Sequence, residues 1–371
     1  MIKLQGSQQL RQRLVLSTLS GKAMQIDDIR SSDQNPGLRD YEASLLRLIE
    51  KITNGCRVEI NETGTRLRYR PGFVHGGLDL EHDCGVSRGI GYFLEPLCLI
   101  SMFGKYPLSM KLTGITNDAI DVGIDTWRTV TLPLLRQLIG EEGVQGGFEL
   151  KVVKRGSAPN GGGKIMLKVP IVRNKLPPIS LLEEGLVKRV RGLAFATRMS
   201  PQTTNRLVDG ARGVLNALLP DVYIFTDHMS GREAGLSPGY GIMLVAETTS
   251  GRMISTEAVM GGDAQQWQQE ELQVVPEDVG RCASYMLLEE ISKGGVVDSS
   301  HQALVLLMCA FGPDEMNEVR LGPLSPYAVK TLRHIKEFLG VQFSVKPENT
   351  TETIFLSCIG AGVSNLSKKI Q

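Results

Sequence analysis

Apolar and polar positions along the chain follow one pattern three times. A β-like run reaches a polar loop, an amphipathic helix follows, and two further β-like runs close the segment. The first segment reads as Met24–Arg30, a loop through Asn35-Pro36-Gly37, a helix over Arg39–Asn54, and strands over Arg57–Asn61 and Arg66–Arg70. The second reads as Ser109–Thr113, a loop over Thr116–Gly123, a helix over Asp125–Ile139, and strands over Phe148–Lys154 and Lys164–Val172. The third reads as Glu318–Leu321, a loop over Gly322–Ser325, a helix over Pro326–Leu339, and strands over Gln342–Lys346 and Glu352–Cys358. A helix is expected ahead of each segment, over Gln8–Leu19, Ile90–Phe103 and Ser300–Phe311. Apolar residues at helical spacing, such as Leu132, Leu135, Leu138 and Ile139, place one greasy face on these helices.

The intervals are unequal. The second helices begin near residues 39, 125 and 326, so the gaps are about 86 and about 201 residues. A unit of about 86 residues leaves some 100 extra residues before the third segment, from about Glu184 to Val275. That stretch has its own helical pattern over Pro201–Leu218 and β-like runs over Val222–Thr226 and Gly241–Thr248. Prolines in Lys175-Leu-Pro-Pro and Val274-Val-Pro-Glu bracket it as linkers. The expected architecture is α/β: a large three-unit domain over 1–183 and 276–371, holding a smaller inserted α/β domain over 184–275. A continuous α/β fold with chance periodicity is the alternative.

Composition narrows the classes. The chain has 371 residues, 42% hydrophobic and 22% charged, which is enough apolar material for a sizeable core. The formal net charge is +1, so any nucleic-acid surface must be a local patch rather than a global field. The opening MIKLQGSQQLRQRL lacks the apolar centre of a signal peptide, and no run reaches the roughly 18 apolar residues of a membrane span. Cys56, Cys84, Cys98, Cys282, Cys309 and Cys358 are scattered without a CxxC pair. Neither a metal cluster nor a disulfide framework is expected, and a reducing, intracellular compartment fits.

Several loops pair glycine with a nearby arginine: Gly6 to Arg11, Ile29-Arg30 with Asn35 to Leu38, and Ala158 to Gly163. Glycine lets backbone N–H groups approach an anion, yet each loop alone also reads as a plain turn. Glu81-His82-Asp83-Cys84 suggests a metal site, but neighbours on a strand point to opposite faces, so a turn or partner-facing loop is the favoured reading. Asp118, Asp121 and Asp125 could hold Mg²⁺, or Asp125 could cap a helix. Lys188, Arg189, Arg191 and Arg198 form a basic cluster that is either a solvated face or a contact for RNA or protein. Gly231–Pro238 reads as a flexible surface connection, and Cys98 and Cys309 as packing residues.

The order and spacing of the glycine loops are more specific than any one of them. Over nearly its whole length the chain resembles the RNA 3′-terminal phosphate cyclase superfamily. The resemblance is carried by Gly6, Gln8 and Arg11; by Ile29, Arg30, Pro36, Gly37 and Leu38; and by Pro159 with Gly161–Gly163. It implies three repeated β-α-β-α-β-β units with a smaller inserted α/β domain. It also implies the anion- or RNA-binding role of Arg11, Arg30 and Arg39, and Lys330, Arg333 and Lys336 on the third-unit helix are expected to form a further anion-, RNA- or partner-binding face.

Departures from the family pattern bear on activity. The resemblance places the nucleophilic histidine of cyclases, which carries an adenylate, at Tyr327 in Ser325-Pro326-Tyr327-Ala328-Val329-Lys330-Thr331. A phenol with a reference pKa near 10 is a poor substitute for imidazole at neutral pH. The stretch matching a nucleotide-contacting Tyr-x-x-Asp-Gln reads Ser299-Ser300-His301-Gln302-Ala303, and Asp33 stands where cyclases carry an arginine. A degenerate former active site at Tyr327, Ser299, Gln302, Ala303 and Asp33 is therefore expected, with no catalytic residue, no cofactor and no metal.

This pattern of loss, with Pro36 to Ser44, His82-Asp83-Cys84 and Leu324 to Tyr327, resembles the cyclase-like subgroup of eukaryotic ribosome assembly. That implies a nuclear, nucleolar protein of the small-subunit processome. It implies a large nucleolar GTPase and pre-rRNA as partners, and a need in early pre-rRNA processing toward 18S rRNA. The alternative is a pre-rRNA endonuclease reusing the old pocket through Lys330, Arg333, His334 and Lys336, residues that also describe the exposed face of an amphipathic helix.

Overall fold

A computed structural model describes residues 1–260, 275–348 and 351–365. The chain folds as mixed α/β, with four four-stranded sheets. Three of these share one construction. The first is Ile2–Gln5, Met24–Asp27, Leu67–Arg70 and Arg57–Ile60, in spatial order. The second is Gly77–Asp83, Leu108–Gly114, Gly163–Val169 and Glu149–Lys154. The third is Ser180–Leu181, Met316–Leu321, Ile354–Ile359 and Ser344–Pro347. In each, the first pair is parallel and the remaining pairs are antiparallel. A parallel pair needs a crossover, and the helices Leu10–Ser20 and Gly91–Ser101 supply it in the first two sheets.

One apolar core runs through all three sheets. Leu14, Ile26, Leu48, Phe93, Leu112, Leu167, Phe311, Val319, Ile335 and Leu356 are fully buried in it. Its interior strands alternate as the pleat demands: in Gly163–Val169, Ile165, Leu167 and Val169 are buried while Met166 and Lys168 are exposed.

The fourth sheet, Val222–Met229, Val187–Thr197, Gly239–Thr248 and Met253–Met260, has a core of its own. The helices Pro201–Leu215 and Pro276–Lys293 cover one face, contributing Leu207, Ala211 and Leu215 from one and Val279, Ala283 and Leu287 from the other. The second helix corrects the expected boundary at 275/276, because it packs on the smaller sheet. Pro276 is the first helical residue, where its missing N–H costs nothing, so this proline opens a helix rather than marking a linker. Val274 lies outside the described residues. The two helices touch backbone to backbone: a Cβ on Gly210 would collide with the Glu277 carbonyl oxygen, and one on Gly280 with that of Leu207.

The smaller body is keyed into the larger one. Val130, on the helical run Ile124–Thr126, Trp127–Thr131 and Leu132–Ile139, packs with Met243 and Val245 of the small sheet. Arg155 is buried and donates to Asp125 at 2.7 and 2.9 Å and to Asp227 at 2.7 Å. Asp298 accepts from the Ser255 N–H at 2.9 Å and from His301 Nδ1 at 2.7 Å, and His301 Nε2 lies 2.8 Å from Thr131 Oγ1. The entry and exit of the smaller body are adjacent. Glu184 pairs with Arg320 at 2.8 Å, and Gly295 bridges to Leu321 on the same strand.

Two loops differ from expectation. Gly231–Pro238 does not float: Gly235 N–H donates to the Arg155 carbonyl at 2.6 Å, and Leu236 N–H to that of Gly161 at 2.9 Å. The glycines of the 158–163 loop serve this contact, since a Cβ on Gly235 would strike the Gly161 carbonyl. Asp125 is not an N-cap: Gly123 holds that position, and Asp125 is the buried partner of Arg155.

Candidate functional site

The helix Pro326–Leu339 begins at Ser325, whose Oγ accepts from the Ala328 N–H at 3.2 Å. Gln302, buried, holds the approach to it by donating to the Pro323 carbonyl at 3.0 Å and accepting from the Ser325 N–H at 2.9 Å. Tyr327 therefore leaves the first turn against the helix Leu10–Ser20. Its hydroxyl meets Arg11 Nη2 at 3.3 Å and the side-chain amide of Gln12, while Gln9 Nε2 donates to its carbonyl at 2.8 Å.

Arg11 is already neutralised. It pairs with Asp121 at 3.2 Å and Glu95 at 3.8 Å, and its guanidinium lies 4.7 Å from the Tyr92 ring centre. Arg88 also pairs with Asp121 and lies 5.2 Å from the rings of both Tyr41 and Tyr92. Two guanidiniums, two carboxylates and three phenol rings thus close on one another. Burial alone would lower the Arg11 pKa, but Tyr327, Glu95 and Asp121 raise it. Burial raises the Tyr327 phenol, which stays protonated across the neutral range. At neutral pH Tyr327 is therefore a neutral phenol held beside a fixed cation.

The other expected residues divide into two groups. Arg30 makes a two-pronged pair with Glu42 at 2.7 and 2.8 Å, and Arg39 pairs with Asp33 at 3.2 Å. These lie on the Tyr41 side of the cluster, and neither shares a partner with Arg11. Lys330 reaches Gln8, whereas Arg333 and Lys336, on the same helix, are exposed. His334 faces inward, accepts from Arg13 Nε at 3.4 Å, and is pushed down to about 4 by burial and by Arg13 and Lys330. Ser299 donates to Glu290, and Ala303 is buried in the helix Gln302–Phe311.

The candidate metal residues disperse. Asp118 accepts backbone N–H groups from Gly89, Ile120 and Asp121, while Asp121 and Asp125 go to different arginines. His82 and Cys84 are buried, Glu81 and Asp83 exposed on the opposite face. Among the described residues, no group of three or more His, Cys, Asp or Glu side chains could hold a metal ion. In the basic cluster, Arg189 pairs with Glu247 and Arg191 with Asp221, while Arg198 donates to the Gly235 carbonyl.

Sequence reasoning did not reach Gln12, Arg88, Tyr92 or Glu95, and met Tyr41 only within the segment Pro36 to Ser44. One signal was available: Glu95 is the lone charge in the apolar helix GYFLEPLCLIS. Nor did it reach the adjoining cleft of about 390 Å³, lined by Asp118, Asp121, Glu257, Glu289, Glu290 and Asp298 against a single Lys293. Its carboxylates outnumber its cations, though Glu257 is protonated there and Asp121 is paired with Arg11 and Arg88.

A family model described as RNA 3′-terminal phosphate cyclase matches residues 2–345. The chain belongs to this family. A Homo sapiens protein named RNA 3′-terminal phosphate cyclase-like protein is 49% identical, covering 99% of this chain and 97% of its own length. A Dictyostelium discoideum protein named probable RNA 3′-terminal phosphate cyclase-like protein is 47% identical over 99% of both chains. The rRNA processing protein rcl1 of Schizosaccharomyces pombe is 42% identical over 100% of this chain and 98% of its own. This member of the cyclase family therefore aligns end to end with relatives whose names carry the qualifier cyclase-like.

Proposed function

We propose that this chain is a non-catalytic ribosome-assembly factor of the small-subunit processome. In this reading it works in the nucleolus, binds pre-rRNA and a large nucleolar GTPase, and is required for early processing toward 18S rRNA. Its three-unit body with an inserted smaller domain acts as a scaffold. The single observation that carries the reading is the closed network at Tyr327. The residue at the expected nucleophile position is a buried phenol locked to Arg11 and Gln12, and the cations around it are satisfied by Glu95 and Asp121. An RNA-enzyme frame whose central arginines are already paired with Glu95 and Asp121 is suited to holding partners on its surface. The name of the fission-yeast relative supports the rRNA context.

The test separates scaffold from enzyme. Purified protein is incubated with a pre-rRNA fragment, and the charge-reversed Lys330/Arg333/Lys336 variant is assayed for partner binding, RNA binding and melting. Loss of association with an unchanged melt supports the scaffold, because exposed charges contribute little to folding. Site-specific cutting by the pure protein, abolished in His334→Ala, would establish the endonuclease instead. The buried position and lowered pKa of His334 weigh against that second reading.

A further inference from the structure

The outward face of the second sheet carries a group of lysines that no fold requirement explains. Its inner face is apolar in register: Leu150 lies opposite Leu167, Val152 opposite Ile165, and Ile165 opposite Leu112. The outer face, from the same ladders, places Lys151 opposite Met166 and Met166 opposite Lys111. Lys164 and Lys168 flank Met166 along its own strand. Four lysines therefore surround one exposed methionine, and a fifth, Lys154, stands opposite Lys164.

That last juxtaposition is unfavourable. Like charges directly opposite on an antiparallel pair repel, and sheets normally avoid them. Two of the lysines have intramolecular partners, Lys111 with Glu81 and Lys168 with Glu149. Among the described residues, Lys151, Lys154 and Lys164 form no ion pair. The carboxylates of this face, Asp79, Glu81 and Asp83, stand on the opposite edge strand Gly77–Asp83, with Glu149 at the near edge. The face is thus polarised, cationic over Glu149–Lys154 and Gly163–Val169 and acidic beyond Leu108–Gly114.

We propose that this lysine face of the second sheet is a binding surface for single-stranded RNA. The proposal rests on the RNA-binding reading given above and assigns it a location away from the Tyr327 network. Charge complementarity selects a polyanion. Every cation is lysine, a compact point charge suited to phosphate contacts without the two-pronged geometry of arginine. Met166 at the centre of the face adds a soft apolar contact for a base, as sheet platforms do for unpaired strands. Binding there should be strong at low salt and tolerant of sequence.

The probe is a labelled 20-nucleotide single-stranded RNA of mixed sequence, followed by fluorescence anisotropy across a salt series. The variant is Lys151→Gln/Lys154→Gln/Lys164→Gln in the full chain, with Lys164→Gln alone as a second variant. The triple variant should bind at least about tenfold more weakly, and the slope of log affinity against log salt should shrink by about 2, as expected for three lost phosphate contacts on a single strand. Its melting temperature should equal or exceed that of the wild type, because the Lys154–Lys164 repulsion is gone. Unchanged RNA affinity and slope in the triple variant overturns the proposal. If that variant binds RNA normally but loses affinity for a polyglutamate peptide, the face serves an acidic polypeptide and the proposal is equally overturned. If RNA binding survives here but disappears in the Lys330/Arg333/Lys336 variant, this location fails while the RNA-binding reading stands. A wild-type protein that binds no RNA sinks that reading itself.

Discussion

The hydroxyl of Tyr327 lies 3.3 Å from a guanidinium nitrogen of Arg11, and Gln12, Glu95 and Asp121 close the shell around the pair. Tyr327, the residue proposed to stand at the nucleophile position, is thus held by structural contacts. Tyr327→His should not restore self-adenylation, because the carboxylates that neutralise Arg11 and line the cleft remain. Incubation with labelled ATP should leave the variant unlabelled, and a covalent adenylate on it would refute the reading. Tyr327→Phe should cost about 1–2 kcal/mol in chemical unfolding, since Gln12 and Arg11 lose an acceptor in a closed site.

The Asp298–His301 pair should dominate the link between the two bodies. Asp298→Ala strands the His301 ring and the Ser255 N–H, at a cost of roughly 3–5 kcal/mol measured in urea at pH 7. The pH dependence follows from the directions of the two shifts. Despite burial, His301 holds Asp298 below the usual carboxylate range, so its stabilisation is present above about pH 4 and lost as pH falls through the folded value. Despite burial, Asp298 holds His301 above its usual value, so that contribution is complete below about pH 6.5 and lost as pH rises through the folded value. The difference between wild type and Asp298→Ala should peak between these limits. A difference flat from pH 4 to 9 would rule the pair out as the source.

Glu257 should behave in the opposite sense to an ordinary carboxylate. Burial pushes it up to about 8, against hydrogen bonds from Gly123 N–H and Thr126 Oγ1. The folded state keeps its proton where the unfolded chain, with a reference pKa near 4.3, has released it. Stability should thus fall as pH rises from about 4.3 to about 8. Glu257→Gln should flatten that decline and exceed the wild type at pH 8. Equal slopes for the two proteins in urea titrations would contradict the assignment.

Gly280 tests the place of the helix Pro276–Lys293. A side chain there meets the backbone of the helix Pro201–Leu215, not a flexible neighbour. Gly280→Val should force the helices apart and destabilise the protein by about 1–3 kcal/mol or more. Gly213→Ala, on the same partner helix but open to solvent, should be neutral or slightly stabilising. Similar melting temperatures for the two variants would mean that the close crossing is absent in solution.

What the sequence disclosed depended on local pattern. The helix Pro326–Leu339 was legible to the residue because Ser325, Pro326 and Gly340 punctuate a 3.6-residue apolar stripe. The strands Ile2–Gln5, Gly77–Asp83 and Ser180–Leu181 were not read. The first and third are short, and the second alternates Asp79, Glu81 and Asp83 with a break where Asp79 takes a positive φ. The helix Pro276–Lys293 was missed because its stripe of Val279, Ala283 and Leu287 is narrow and set among charges. Around Tyr327, family spacing drew attention to Arg11 and Tyr327, which the structure places in contact. It missed Glu95, Arg88 and Tyr92, because what matters there is which side chains converge from separate helices, and one-dimensional spacing does not record that.

Glu184 and Gly295 flank the strand Met316–Leu321, one where the smaller body departs and the other where it returns. The two ends meet on one strand of the larger body. A single in-frame deletion of 185–293, closed by a few flexible residues, would leave the pairing of Leu181 with Val319 intact. On the larger body, Val130 would lose Met243 and Val245, Arg155 would lose Asp227, Gly123 and Thr126 would lose Glu257, and Asp298 would lose Ser255. The segment between these two points is thus a continuous stretch of chain that could be cut out without re-threading the rest.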